Sequence, residues 1–297
     1  MFSGSLVAIV TPMIEGGALD WAAWDRVLDF HVGEGSDGIV IAGTTGESPV
    51  LSLDEIEELT RRALARCGGK LKVIVGAGTN STATTVARAR TLSRLGPDAV
   101  MCVTPYYNKP PQEGLYRHFM AAADASAVPV VLYNVPTRTG VDLLPGTVAR
   151  LAKHPQIVAL KEATPQLTRA RELIAQVPAG FALLSGDDAT AVDFMSEGAK
   201  GVISVTANVA PRRVKEVCAA ALAGDFAKAR SIDADLQLLH KDLFVEANPI
   251  PVKWAVARMG LIGSAIRLPL VDLAPVHQEA VLRAMRAAGV TLEERAA

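Results

Sequence analysis

Eight short apolar runs, spaced by stretches long enough for a helix, constrain this chain more than any other feature. They begin at Leu6 (LVAIV), Gly38 (GIVIA), Leu71 (LKVIV), Asp98 (DAVMCV), Pro129 (PVVLY), Ile157 (IVALK), Phe181 (FALLS) and Gly201 (GVISV). Most are nearly continuous in apolar character, which is the pattern of parallel strands covered on both faces. The segments between them carry helical spacing. Ser52 to Cys67 opens with a capping box made by Ser52 and Glu55. Thr82 to Leu95 has the same period, as does Asp20 to Val32, where Trp21, Trp24, Val27, Leu28 and His31 or Val32 share one face. Eight strand–helix units in about 220 residues predict an α/β fold, a (β/α)8 barrel of the TIM type.

A doubly wound sheet is the other way to arrange such units. It calls for a Gly-rich phosphate turn after the first strand. Here Thr11-Pro12 follows that strand, and the GAGTN stretch at Gly76 to Asn80 lacks the third glycine and follows the third strand. Beyond residue 224 the apolar strands cease. Asp225 to Phe244, Ile250 to Met259 and Ala274 to Ala288 read as helices. The expected organisation is a barrel over residues 1–224 and a small C-terminal α-helical domain over residues 225–297, packed on it.

Composition narrows the function. The 297 residues are half hydrophobic, enough for a large core. Basic and acidic residues number 30 and 31, and no basic run stands out. Nucleic acid and membrane surfaces are therefore not expected partners. Cys67, Cys102 and Cys218 are odd in number and far apart, and read as buried thiols rather than a disulfide frame. The five histidines never fall three or four apart and do not pair with the cysteines, so no metal centre is expected. The N-terminus has no basic leader, and the run Leu6 to Val10 is too short for a signal peptide or a membrane span. The expected location is the cytoplasm.

Chemistry in such a barrel gathers at the carboxyl ends of the strands. Lys161 closes the sixth run. Desolvation lowers a lysine pKa, and a neutral amine can form a Schiff base with a carbonyl. The plainer reading is a half-buried lysine paired with Glu162 or another carboxylate. The second run ends in Gly43-Thr44-Thr45-Gly46-Glu47, which either caps the next helix or offers hydroxyls and amides to a substrate carboxylate. Tyr133 ends the fifth run, beside the lysine strand, either as an amphipathic anchor or as a proton shuttle for the amine. Arg138 lies between Pro136 and Gly140, either in a surface ion pair or as a bidentate carboxylate clamp. Asp187-Asp188 ends the seventh run, as a solvated turn or a helix cap. Two acids there disfavour the phosphate site that many barrels carry near strands seven and eight. A small keto acid fits better than a sugar phosphate.

GTTGE (Gly43 to Glu47), YYNKP (Tyr106 to Pro110), YNVPTRTG (Tyr133 to Gly140), LKEAT (Leu160 to Thr164), SGDDAT (Ser185 to Thr190) and NPIPVKW (Asn248 to Trp254) run in order over nearly the whole chain. Together they resemble the bacterial dihydrodipicolinate synthase family, within the wider pyruvate-dependent Schiff-base aldolase and lyase superfamily. The resemblance implies a lyase that condenses pyruvate with L-aspartate-4-semialdehyde to 4-hydroxy-tetrahydrodipicolinate, in diaminopimelate and lysine biosynthesis. It implies no cofactor beyond the pyruvate carried on Lys161. Thr44 and Thr45 would seat the pyruvate carboxylate. Tyr133, Thr44 and Tyr107 would relay protons, with Tyr107 supplied by a neighbouring subunit. Arg138 would bind the semialdehyde carboxylate, and Gly186 and the Ile203 carbonyl would line the pocket. A homotetramer, a dimer of dimers, is implied as well.

The resemblance also implies a regulatory cleft for lysine at the tight dimer interface. Ser48, Asn80 and Tyr106 match it. Positions usually held by two histidines and a glutamate carry Leu53, Ile56 and Thr84. Without a carboxylate at residue 84 the lysine ammonium loses an ionic partner, so feedback by lysine is expected to be weak. Two other functions remain open. A sister aldolase acting on N-acetylneuraminate, a 2-keto-3-deoxy sugar acid or 4-hydroxy-2-oxoglutarate would want hydroxyl-binding groups where Arg138 stands. A non-catalytic barrel sensing a metabolite would have no need of Lys161 with Tyr133.

Overall fold

The computed structural model describes residues 2–292. Residue 1 of the expected barrel and residues 293–297 of the expected helical domain lie outside the described residues. Eight strands close into one parallel barrel in chain order. They are β1 (Gly4–Ala8), β2 (Gly38–Ile41), β3 (Lys72–Gly76), β4 (Ala99–Val103), β5 (Val130–Asn134), β6 (Ile157–Glu162), β7 (Ala182–Ser185) and β8 (Gly201–Ser204). The helices that follow these strands are α1 (Trp21–Gly33), α2 (Leu53–Cys67), α3 (Thr82–Ser93), α4 (Gln112–Ala125), α5 (Pro136–Thr139), α6 (Pro145–Leu151), α7 (Leu167–Gln176), α8 (Ala191–Ser196) and, after β8, α9 (Pro211–Leu222). Four more follow the barrel: α10 (Phe226–Ala234), α11 (Gln237–Asp242), α12 (Ile250–Arg258) and α13 (Pro275–Ala287).

The barrel expectation holds strand by strand. The one displaced run is the first: β1 starts at Gly4, and Ile9 and Val10 of LVAIV lie beyond the strand, still buried. Closure explains the shift, because β1 must pair with β8 from Gly4↔Gly201 onward. A Cβ on Gly201 would stand 2.1 Å from the Gly4 carbonyl oxygen, so glycine is needed where the first and last strands meet. Side chains alternate along each strand. One set fills the barrel interior, including Leu6, Val40, Ile74, Met101, Val131, Tyr133, Ala159, Leu184 and Ile203. The other packs outward against the helices, as Leu160 and Val202 do.

Local signals account for the helix starts. Ser52 caps α2 through the full capping box with Glu55, and Asp20 caps α1 by accepting from the Ala23 amide. The expected helix over Asp225 to Phe244 is instead two, α10 and α11. No Gly or Pro marks the break. The turn buries Leu236 in the core and leaves Asp235 outside in an ion pair with Arg213, so tertiary packing overrides a continuous helical pattern. The three cysteines are free and buried. Among the described residues no helix is long and apolar enough to cross a membrane.

Candidate active site

Lys161 is the fifth residue of β6, with its side chain inside the mouth of the barrel. It is 5 % exposed. Strand alternation sends its neighbour Glu162 to the other face. There Glu162 accepts from Asn134 Nδ2 at 3.0 and 3.2 Å and from the Thr164 amide at 2.9 Å. Asn134 in turn donates to Asp142, which Arg169 holds with two nitrogens. The plainer reading, a lysine paired with Glu162, therefore fails, because a period of two separates adjacent side chains. No carboxylate lies within ion-pair distance of Lys161 among the described residues.

Tyr133 and Lys161 occupy the same register position on β5 and β6. The Lys161 Nζ sits 4.5 Å from the centre of the Tyr133 ring. Burial pulls the Lys161 pKa down to about 8; the nearby Asp188 opposes this and the Arg138 cation adds to it. Burial pushes the Tyr133 phenol up, while its hydrogen bond with Thr44 and the Arg138 charge pull it back. An amine that can lose its proton far more readily than an ordinary lysine thus lies beside a protonated phenol.

Gly186 follows β7 and lies over the same lysine. A Cβ there would come 3.0 Å from the Lys161 Cε and 2.8 Å from the Ala163 Cβ. Glycine leaves the lysine stem the width it needs. Ile203 lies buried on β8, paired in register with Leu6.

The loop after β2 holds Thr44 and Thr45. The Thr45 hydroxyl oxygen accepts from Asn248 Nδ2 at 3.0 Å, which leaves its own proton free to donate. Among the described residues, neither the Thr44 nor the Thr45 amide donates to an acceptor within the chain. Two hydroxyls and two open amides are what a small carboxylate needs. The loop ends in Glu47, a non-glycine residue at φ +59° whose buried carboxylate pairs with Lys253 of α12 and accepts from the Arg267 amide. All four non-glycine residues with positive φ among those described lie in this loop or the one after β4: Ala42, Glu47, Tyr107 and Lys109. Backbone strain is concentrated where the strand ends meet.

Arg138 lies in α5. Its guanidinium donates to the Asn248 carbonyl at 3.4 Å, and its remaining N–H groups meet no acceptor among the described residues. With Thr44, Ser48, Arg88, Tyr106 and Thr139 it lines a cavity of about 290 Å³ at the strand ends. A larger cleft of about 810 Å³ lies between α1, α9 and the end of α13, but no strand-end residue reaches it. The smaller one adjoins the site: Lys161 and Tyr133 are not in its wall, but Thr44 and Arg138, which act on them, are.

Tyr107 stands apart. Its side chain is 88 % exposed, so within one chain it forms no part of the pocket wall. Of the expected regulatory set, Ser48 and Tyr106 face the cavity, and the Asn80 carbonyl accepts from Asn108 Nδ2 at 2.9 Å. Ile56 is buried in the core of its own chain, Leu53 is half-buried, and Thr84 is exposed and bonded to Ser81.

Asp188 has a different part from the solvated turn or helix cap that the sequence suggests. It is buried, and its carboxylate accepts from the Val205 and Thr206 amides at 2.8 and 3.0 Å. A resident carboxylate therefore occupies the amides after β8 that could otherwise hold a phosphate. Asn248 and Lys253, both in the NPIPVKW stretch, reach the carboxylate loop from beyond the barrel. Only their position within a motif could have marked them.

The profile of the dihydrodipicolinate synthetase family matches residues 1–288. The chain is 56 % identical over 290 residues to the 4-hydroxy-tetrahydrodipicolinate synthase of Azoarcus sp. strain BH72, covering 98 % of this chain and 99 % of that one. It is 54 % identical to the protein of the same name from Laribacter hongkongensis, with 98 % and 100 % covered. Among solved structures, the dihydrodipicolinate synthase of Aquifex aeolicus superposes with a TM-score of 0.96 at 42 % identity, covering 99 % of this chain and 100 % of that one. The chloride-inhibited dihydrodipicolinate synthase of Acinetobacter baumannii, complexed with pyruvate, gives 0.96 at 45 % identity, with 98 % and 100 % covered.

Proposed function

The chain belongs to the dihydrodipicolinate synthetase family, and from that membership we propose a pyruvate-condensing lyase with Lys161 as its Schiff-base residue. The reaction joins pyruvate to L-aspartate-4-semialdehyde and gives 4-hydroxy-tetrahydrodipicolinate, in diaminopimelate and lysine biosynthesis. The observation that carries the assignment of residues is the shared register of Lys161 and Tyr133 beneath the open guanidinium of Arg138.

The neutral Lys161 amine attacks C2 of pyruvate. Loss of water gives the imine, with Tyr133 moving the proton. The pyruvate carboxylate rests on the Thr44–Thr45 loop. Loss of a methyl proton gives an enamine, whose carbon attacks the semialdehyde aldehyde and forms the new C–C bond. Arg138 holds the semialdehyde carboxylate. The amino group of the bound adduct then adds to C2, closes the ring and releases Lys161. Gly186 and the Ile203 carbonyl border the C2 position, and no cofactor other than the covalent pyruvate takes part.

Tyr107 completes the relay from a neighbouring subunit. Its exposed side chain, on a loop held at φ +74°, supports a site shared between chains of a homotetramer built as a dimer of dimers. Of the expected domains, the described residues 2–224 make the catalytic barrel and 225–292 the helical part that braces it, and the enzyme works in the cytoplasm. The regulatory cleft comprises Ser48, Asn80 and Tyr106, and its missing carboxylate weakens the hold on lysine.

A coupled assay with pyruvate and aspartate semialdehyde, run beside N-acetylneuraminate, 2-keto-3-deoxy sugar acids and 4-hydroxy-2-oxoglutarate, tests the reading. Turnover of the semialdehyde above all the others is the expected result. Preference for a sugar acid, or no turnover of any, would overturn it.

A further inference from the structure

Asp188 lies between the candidate Schiff-base lysine and a buried histidine that the reaction does not use. On one side its charge acts on Lys161. On the other, a buried polar chain leads away from the barrel. Asp188 holds the Thr206 amide, and the Thr206 hydroxyl lies 2.7 Å from His240 Nδ1. His240 Nε2 lies 3.1 Å from Asp233 Oδ1, and Gln237 Nε2 donates to Asp233 Oδ2 at 2.6 Å. His240 is 4 % exposed, and Thr206, Asp233 and Asp188 are buried with it.

Both ring nitrogens of His240 therefore meet an oxygen that can accept, which suits an imidazolium. Burial opposes the charge. The Asp233 hydrogen bond and the charges of Asp188, Asp233 and Asp187 outweigh it and raise the pKa. The other deeply buried histidines behave in the opposite way: burial pulls His31 down to about 3 and His118 to about 4, with no acid to oppose it. The groups facing His240 are Asp187 and Asp188 from the loop after β7, Thr206 after β8, the Cys218 thiol of α9 and Asp233 of α10. Those facing Lys161 are Asp188, Arg138 and Tyr133.

We propose that His240 is a positioning residue for the condensation: its positive charge, anchored by Asp233, offsets the attraction of Asp188 for the Lys161 ammonium and so keeps the amine available. The helical segment beyond the barrel thereby sets the protonation of a lysine it does not touch. The inference rests on Lys161 being the Schiff-base residue.

In His240→Gln the imidazolium is lost and Asp233 keeps only the neutral Gln237 amide. Both changes favour the Lys161 ammonium. The acid limb of kcat/KM for pyruvate should move to higher pH by about half a unit or more, roughly a threefold loss of free amine below the limb. In the double variant His240→Gln with Asp233→Asn both charges are gone, and the limb should return toward that of the native enzyme. A merely structural role would leave the limb in place in the single variant, or displaced in the double one, and either result overturns the proposal.

A second measurement needs no variant. Coupling is reciprocal, so a pyruvate carboxylate fixed on Lys161 by borohydride must raise the His240 titration, followed by NMR of ring-labelled histidine. An unmoved His240 titration in trapped enzyme also overturns the proposal. Failure of borohydride to trap pyruvate on Lys161 in the native enzyme would instead sink the assignment of the lysine itself.

Discussion

Lys253→Met tests how the helices beyond the barrel hold the carboxylate loop. Lys253 and Glu47 are each 1 % exposed and pair with one another. Burial pulls the Lys253 pKa down and the Glu47 charge opposes it, so the ammonium is stable only because of its partner. Removing the lysine strands a buried carboxylate, at a cost of roughly 3–5 kcal/mol. At about 2.1 cal/mol/K per residue, unfolding a chain this long carries an entropy near 0.6 kcal/mol/K, so Tm should fall by roughly 5–8 °C. The double variant Glu47→Gln with Lys253→Met removes both charges and should recover most of that loss. Kinetics should separate the substrates as well. Glu47 sits at φ +59° at the end of the loop carrying Thr44 and Thr45. Its release should raise KM for pyruvate about tenfold, while KM for the semialdehyde changes less, because displaced contacts weaken the one seat they form. Differential scanning calorimetry and initial rates measure both. A single variant as stable as the native protein, or a double variant no more stable than the single, would refute the reasoning.

Tyr133→Phe keeps the ring beside Lys161 and deletes the hydroxyl; kcat should fall roughly 10²–10⁴-fold while pyruvate is still trapped on the lysine, and a near-native kcat would remove Tyr133 from the relay. Lys161 carries a pKa near 8 in the fold against 10.5 for an ordinary lysine. Between those values the unfolded chain binds a proton that the folded one lacks, so stability should rise with pH across that window, and below about pH 8 the lysine costs roughly 3 kcal/mol. Lys161→Met should therefore be inactive yet more stable at pH 7, with the difference gone above about pH 10.5. Equal denaturant midpoints for the two proteins at pH 7 would show that the amine is not desolvated. Titration with lysine should leave most of the activity in place at concentrations that saturate a glutamate-bearing relative, since Thr84 cannot pair with the ammonium. Strong inhibition at low lysine would show another partner.

The barrel was legible because its strands are buried on both faces and so read as unbroken apolar runs. What sequence adjacency obscured was direction. Lys161 and Glu162 are neighbours in the chain, yet the strand turns one into the barrel and the other toward α7, so the obvious ion pair does not form. The break between α10 and α11 was invisible for a related reason: no residue there disfavours helix, and only the burial of Leu236 imposes the turn. Lys161, Tyr133, Thr44 and Arg138 could be picked out because each ends a strand or opens the loop that follows. Asn248 and Lys253 could be found only through their place in the NPIPVKW motif, and His240 could not. Their contacts with Thr45, Glu47 and Thr206 span 203, 206 and 34 residues, distances that no local pattern encodes. Tyr107 marks the limit of a single chain, since its ring is exposed and forms no part of the pocket wall there.

The claim on which the rest depends is that the Lys161 amine forms the covalent bond to pyruvate. Borohydride reduction in the presence of pyruvate, followed by peptide mapping, tests it directly. The expected result is one adduct per chain, on Lys161, formed faster as pH rises through about 8 and absent in Lys161→Met. An adduct on another lysine, or none with the native enzyme fully folded, would contradict the account.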